Sequence, residues 1–153
     1  MSHSVIIGGT GGIGNSIIKK LVQQRRHVIN IDKVPGRITS EFCQNIEYDI
    51  CNLKDENSKA KLLQLLSEAG CEAIESIICC SAMQKLGTFK DFSSKELEKI
   101  NFVNSLSQIE IFKTLLNLMR KSKQPSFISI NSIHSKLSKK NFFSYSSSKK
   151  YLE

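Results

Sequence analysis

The most constraining stretch of this chain is its first one. A short apolar segment, Val5-Ile6-Ile7, runs into Gly8-Gly9-Thr10-Gly11-Gly12-Ile13-Gly14, and the chain then takes up a helical pattern. Ile13, Ile17, Ile18, Leu21 and Val22 form one apolar stripe, with Lys19, Lys20, Gln23 and Gln24 between them. A strand that ends in a glycine cluster and reopens as a helix is the start of a strand–helix–strand unit, and such units build parallel sheets. The glycines also have a chemical use. They let the backbone turn sharply and approach a pyrophosphate closely, while the helix N-terminus behind them supplies free N–H groups and a positive dipole end. Three spacings fit at once: Gly9, Gly11 and Gly14 as G-x-G-x-x-G, Gly8, Gly11 and Gly14 as G-x-x-G-x-x-G, and Gly8, Gly12 and Gly14 as G-x-x-x-G-x-G. The loop alone does not choose between them.

The alternation continues along the chain. Val28 to Ile31 reads as a second strand closed by Asp32, and Pro35-Gly36 then breaks the chain. Asn45 to Tyr48 is a short third strand, and Leu53 to Ala69 a helix with Gly70 at its C′ position. Ile74 to Cys80 is a fourth strand whose centre is apolar on both faces, as in a covered parallel sheet. Ser93 and Glu96 offer a capping box to a helical pattern that runs to about Lys123. That pattern is too long for one straight element, and a break is expected near Asn101. Phe127 to Ile130 follows Pro125 as a fifth strand, and a last helix begins at 145. The expected class is α/β: a Rossmann-like, doubly wound parallel sheet of about five strands with helices on both faces, one domain over residues 1–153.

Composition sets the outer limits. The 153 residues are 40% hydrophobic and 24% charged, which suits a globular domain rather than a disordered chain. No apolar run approaches membrane-spanning length and no basic segment precedes Val5, so no membrane partner and a cytoplasmic location are expected. Cys43, Cys51, Cys71, Cys79 and Cys80 form no C-x-x-C pair, so reduced thiols are expected and no metal site. The net charge of +8 is lopsided. Residues 1–112 carry 13 basic and 13 acidic side chains, whereas residues 113–153 carry nine basic residues against Glu153 alone. Such a segment can meet an anionic ligand or nucleic acid, but no aromatic-basic interleaving accompanies it, and no nucleic-acid partner is expected.

Four further positions carry chemistry. Asp32 lies 18 residues beyond Gly14, at the end of the second strand. A carboxylate there accepts hydrogen bonds from the adenosine ribose and repels a 2′-phosphate, which favours NAD; Lys33 beside it opposes that preference and leaves NADP open. Tyr145 and Lys149 are four residues apart and share one helix face. Tyrosine is a poor acid or base at neutral pH, with an ordinary pKa of about 10, and a nearby ammonium favours its phenolate. Ser132 follows the fifth strand, where functional groups gather in open α/β sheets, and its hydroxyl suits a carbonyl oxygen.

Together, Gly8, Gly12, Gly14, Asp32, Asn101, Ser132 and the pair Tyr145 and Lys149 resemble the short-chain dehydrogenase/reductase family in order and spacing, over residues 4–153. The interval from Ser132 to Tyr145 is similar to the compact oxidoreductase branch, which favours the Gly8, Gly12, Gly14 register. The resemblance implies hydride transfer between NAD(P) and an alcohol or carbonyl substrate. Tyr145 would be the general acid/base, Ser132 would polarise the carbonyl, Lys149 would bind the nicotinamide ribose, and Asn101 would hold a water in the proton relay. Gly8, Thr10, Gly11, Gly12, Ile13, Gly14, Asp32, Asp49, Ile50 and Ala82, with Tyr145 and Lys149, would hold the cofactor. It further implies a homodimer or homotetramer through the 102–119 helix. A nucleotide-binding module without turnover is the alternative reading.

Two features depart from the family pattern. The strand-four signature Asn-Asn-Ala-Gly reads Cys79-Cys80-Ser81-Ala82, and the usual Thr before the loop is Ile7. The family also continues through two more strands, so a truncated chain is expected, with Phe127 to Ile130 an exposed apolar edge.

Overall fold

The computed structural model describes residues 1–153. Five strands are laid down in chain order as β1 (Ser2–Ile7), β2 (Val28–Asp32), β3 (Cys43–Glu47), β4 (Ala73–Cys79) and β5 (Ser126–Ser129). The helices are α1 (Gly12–Gln23), α2 (Glu56–Glu68), α3 (Ser94–Asn101), α4 (Ser107–Met119) and α5 (Phe143–Lys150). The sheet order is β3-β2-β1-β4-β5, and every neighbouring pair is parallel. This is the doubly wound Rossmann-like α/β architecture that the strand–helix alternation implies.

Alternation along each strand divides the core. Val5 and Ile7 of β1, Ile29 and Ile31 of β2, and Ile77 and Cys79 of β4 bury one face against Leu62 and Leu66 of α2 and Ile111, Leu115 and Met119 of α4. Ile6, Val28 and Ile78 point the other way, onto Ile18 of α1. Burying an aliphatic side chain of this size contributes about 1.5–3 kcal/mol, so the two-sided core is the main source of stability.

Several boundaries differ from the sequence reading. β1 begins at Ser2 rather than Val5, because Ser4 is buried and donates to Glu75, which also receives Arg26. β3 starts at Cys43 rather than Asn45 and ends before Tyr48. The helix after it begins at Glu56, capped by Asp55, whereas Ile50–Asn52 form a separate short turn. The expected break in the long helical pattern takes the form of a wide turn over Phe102–Leu106, where the Ser107 N–H reaches back five residues to the Phe102 carbonyl. β5 is an edge strand with Ile128 exposed, while Phe127 is partly covered by an edge-on contact with Phe112 of α4. No helix is long and apolar enough to cross a membrane.

Candidate active site

The carboxyl ends of β1, β2 and β4 open into a cleft of about 280 Å³. Gly8, at φ +82°, takes the chain out of β1, and an added Cβ there would meet the Ser81 backbone nitrogen at 2.6 Å. A Cβ on Gly14 would meet the Gly8 carbonyl oxygen at 2.5 Å, so the first turn of α1 lies directly against the loop. Gly12, by contrast, faces open space. α1 starts behind Gly11 with no side-chain cap and no acidic residue in its first turn, leaving its first N–H groups and dipole free for an anion.

The far wall of the cleft is polar. Asp32 ends β2, and one of its carboxylate oxygens accepts both the Thr10 N–H (3.1 Å) and the Thr10 hydroxyl. The glycine loop and the acidic residue are thus joined through a threonine in the middle of the loop. Asp49 caps the turn after β3 by accepting from the Cys51 N–H at 2.9 Å, and Ile50 beside it is buried. Cys80, Ser81 and Ala82 continue β4 along the cleft. The Ser81 hydroxyl is buried without a partner, an unmet hydrogen-bonding group at the cleft wall. Successive strand residues diverge here as expected: Cys79 lies in the main core, whereas Cys80 faces the cleft and the opposite core. Burial pushes the Cys80 thiol up to about 11, which makes it a poor nucleophile. All five cysteines are free.

Beyond the cleft, α5 carries Tyr145 and Lys149. Lys149 is 2% exposed, and its ammonium donates to the Ile130 carbonyl at 2.8 Å and lies 6.0 Å from the Tyr145 ring centre. Burial holds its pKa below the ordinary lysine value, partly opposed by the nearby Cys79 and Cys80. A fully buried lysine with one carbonyl acceptor and no carboxylate is an expensive arrangement, and such groups concentrate at functional sites. Tyr145 is half-buried. Ser132 accepts from the His134 N–H at 3.2 Å, which leaves its own hydroxyl hydrogen free to donate.

Residues 2–153 match the sequence profile of the short chain dehydrogenases. The chain belongs to the short-chain dehydrogenase family. No curated protein matches. Among solved structures it is similar to a short-chain dehydrogenase family protein from Francisella tularensis (24% identity, TM-score 0.84, covering 99% of this chain and 60% of that one). It is similar to the aldohexose dehydrogenase of Thermoplasma acidophilum (23% identity, TM-score 0.85, 99% and 57%). It also resembles a short-chain dehydrogenase from Leptospira borgpetersenii with bound NAD+ (18% identity, TM-score 0.85, 97% and 60%). At these identities the likeness is one of fold, and the chain spans about three fifths of the length of each structure.

Within this member of the family, the expected residues fall into three groups. Gly8, Thr10, Gly11, Asp32, Asp49, Ile50 and Ala82 line the cleft together. Gly12 and Gly14 lie at the start of α1 rather than in its wall, and Ile13 is exposed, turned away from the α1 stripe. Tyr145 and Lys149 come together on α5, where the Lys149 ammonium reaches the Ile130 carbonyl after β5.

Asn101 does not join them. Its side chain is exposed at the end of α3, and only its carbonyl is engaged, by the Ser105 hydroxyl. Asn104, in the wide turn, is fully buried. Asn104 accepts from the Met83 N–H (2.6 Å) and donates to the Met83 carbonyl (2.8 Å) and the Ser148 hydroxyl (2.9 Å). It therefore ties the cleft wall after β4 to the helix that holds Tyr145 and Lys149. It lies three residues past Asn101, where the turn widens, and no local sequence pattern announces that widening.

Proposed function

We propose that this chain binds NAD(H) with its adenosine end in the cleft, and that Tyr145, Lys149 and Ser132 handle the oxygen and proton of an alcohol or carbonyl substrate. The observation that carries the reading is Lys149, a buried, single-acceptor ammonium beside Tyr145 at the carboxyl end of the sheet. The cleft fits a dinucleotide on three counts: the open space at Gly12, the uncapped start of α1, and the unpartnered Ser81 hydroxyl. Gly8 to Gly12 and the α1 N-terminus would hold the pyrophosphate, Asp32 the adenosine ribose, and Asp49 and Ile50 the adenine. The Asp32 carboxylate favours NAD over NADP, since a 2′-phosphate would face it at close range.

When bound, the nicotinamide would supply or accept the hydride. The protein's part is polar. The Ser132 hydroxyl, its oxygen already occupied by the His134 N–H, donates to the substrate oxygen. The Tyr145 hydroxyl gives that oxygen a proton in reduction and takes it back in oxidation. Lys149 spends one N–H on Ile130 and keeps two, for the ribose hydroxyls and the phenolic oxygen. Asn104 fixes α5 against the β4 end, so the pair stays aligned with the cleft. Outward Leu106, Ile109 and Phe112 support self-association along the 102–119 segment.

A fluorescence titration with NADH tests the binding step: saturation is expected, and a linear response overturns it. In turnover of a carbonyl panel, Tyr145→Phe is expected to lower kcat by about 10²–10⁴ while NADH affinity stays within about twofold. Saturable NADH binding with no Tyr145-dependent turnover would remove the acid/base role and leave the binding role standing.

A further inference from the structure

Four of the exposed large apolar side chains sit on the two loops that flank Tyr145. Leu86 and Phe89 belong to the loop after β4, with Phe89 77% exposed, and Ile133 and Leu137 to the loop between β5 and α5. The two loops form one structure: the Gly87 N–H donates to the Asn141 carbonyl at 3.0 Å, and Phe89 stacks 4.1 Å from Phe143. Apolar groups exposed together in this way mark a place where something binds. The same surface is cationic. Residues 133–142 contain His134, Lys136, Lys139 and Lys140 and no acidic residue. Lys139 lies over the Phe142 ring at 5.7 Å, with His134 on the same ring at 4.4 Å, and Phe142 meets Tyr145 edge-on at 6.4 Å. A chain of rings thus leads from the Tyr145 side chain to an ammonium group.

Three of the carboxylates on the elements around this surface are already engaged, and Glu98 of α3 is exposed without an ion-pair partner. Asp91 holds Thr88, Glu96 pairs with Lys85 and Ser93, and Glu153 pairs with Lys150 and Ser135. Lys139 and Lys140 take part in none of the chain's ion pairs. Charge complementarity therefore calls for an anion, and the exposed side chains call for an apolar body joined to it.

Resting on the active-site reading above, we infer that this mouth selects an amphipathic anionic substrate, an apolar carbonyl compound that carries a carboxylate or phosphate at a distance from the reacting oxygen. The apolar body lies along Leu86, Phe89, Ile133 and Leu137, and the anionic group lies at Lys139 and Lys140. Two ammonium groups about 6 Å from an anion in a water-like dielectric are worth about tenfold in affinity together.

Calorimetric titration of the whole chain, with and without saturating NADH, tests this with 10-oxoundecanoate against its uncharged methyl ester. The acid is expected to bind about tenfold more tightly than the ester at low salt, and the gap should shrink as added salt screens it. The paired change Lys139→Gln and Lys140→Gln is expected to erase the preference and leave NADH affinity unchanged. Lys140→Gln alone, which disturbs no ring contact, is expected to remove about half of the effect on a logarithmic scale. Equal affinity for acid and ester, or binding of neither, overturns the inference. So does sedimentation showing that a second copy covers this surface and excludes the acid. If NADH fails to bind while the acid still outbinds the ester, the active-site reading fails and the mouth stands.

Discussion

Replacing Lys149 by methionine separates what this residue costs the fold from what it contributes to binding. The side chain is 2% exposed, and its ammonium has one acceptor, the Ile130 carbonyl, with no carboxylate opposite. Burying an ammonium costs several kcal/mol even after relaxation, and one neutral hydrogen bond offsets only about 1 kcal/mol of that. Methionine fills a similar volume without charge, at the expense of leaving the Ile130 carbonyl unpaired. The expected balance is a gain of about 1–3 kcal/mol, which for a chain of this length raises Tm by about 3–8 °C. The pH dependence follows from the direction of the shift. Because burial lowers the folded-state pKa, the unfolded chain binds the proton more tightly than the folded one. The penalty is complete below the folded pKa and is relieved as pH rises from there toward the unfolded lysine value of about 10.4. The advantage of Lys149→Met should therefore be largest near neutral pH and shrink in alkaline buffer. Urea unfolding of both proteins at pH 7 and pH 10 reads this, with an NADH titration alongside that should show weakened binding. A variant less stable than the parent by more than about 1 kcal/mol at pH 7, or a difference that ignores pH, would refute the reasoning.

Two further pairs of substitutions test the site's construction. Asn104→Ala leaves the Met83 N–H and carbonyl and the Ser148 hydroxyl without their partner, and is expected to cost about 3–4 kcal/mol in urea unfolding; Asn101→Ala, on an exposed side chain, should stay within about 0.5 kcal/mol. Gly14→Ala drives a Cβ into the Gly8 carbonyl oxygen and is expected to destabilise by about 2 kcal/mol or more, whereas Gly12→Ala meets nothing in the folded chain and should lower NADH affinity with little change in stability.

Much of this architecture was legible in the residues because local chemistry and global packing agree there. The Val5 to Val22 stretch has strand, loop and helix signals of different periods in sequence, and the structure follows them almost residue by residue. The Ser93 and Glu96 capping box forms as spelled, with side chains reaching both ways. What resisted reading depends on partners distant in sequence. Ser4 belongs to a buried strand because Glu75 and Ser76 satisfy it, and no pattern near Ser4 announces them. The bond from Thr10 to Asp32 spans 22 residues and appears only once β1 and β2 are side by side. Asn104 went unread for a geometric reason. Helical periodicity assigns faces on the assumption of 3.6 residues per turn, and a wide turn shifts that count between Asn101, at the end of α3, and Asn104.

That wide turn makes chain length between residues 102 and 106 a variable of its own. A turn closed over five residues holds one more residue than an α-turn between similar ends. Losing one residue there would let the stretch wind as ordinary α-helix, with α4 still delivering Ile111, Leu115 and Met119 to the sheet. The bulge that carries Asn104 toward Met83 and Ser148 would be gone. A single-codon deletion at this point would thus spare the hydrophobic packing while uncoupling the cleft wall from the helix that bears Tyr145 and Lys149.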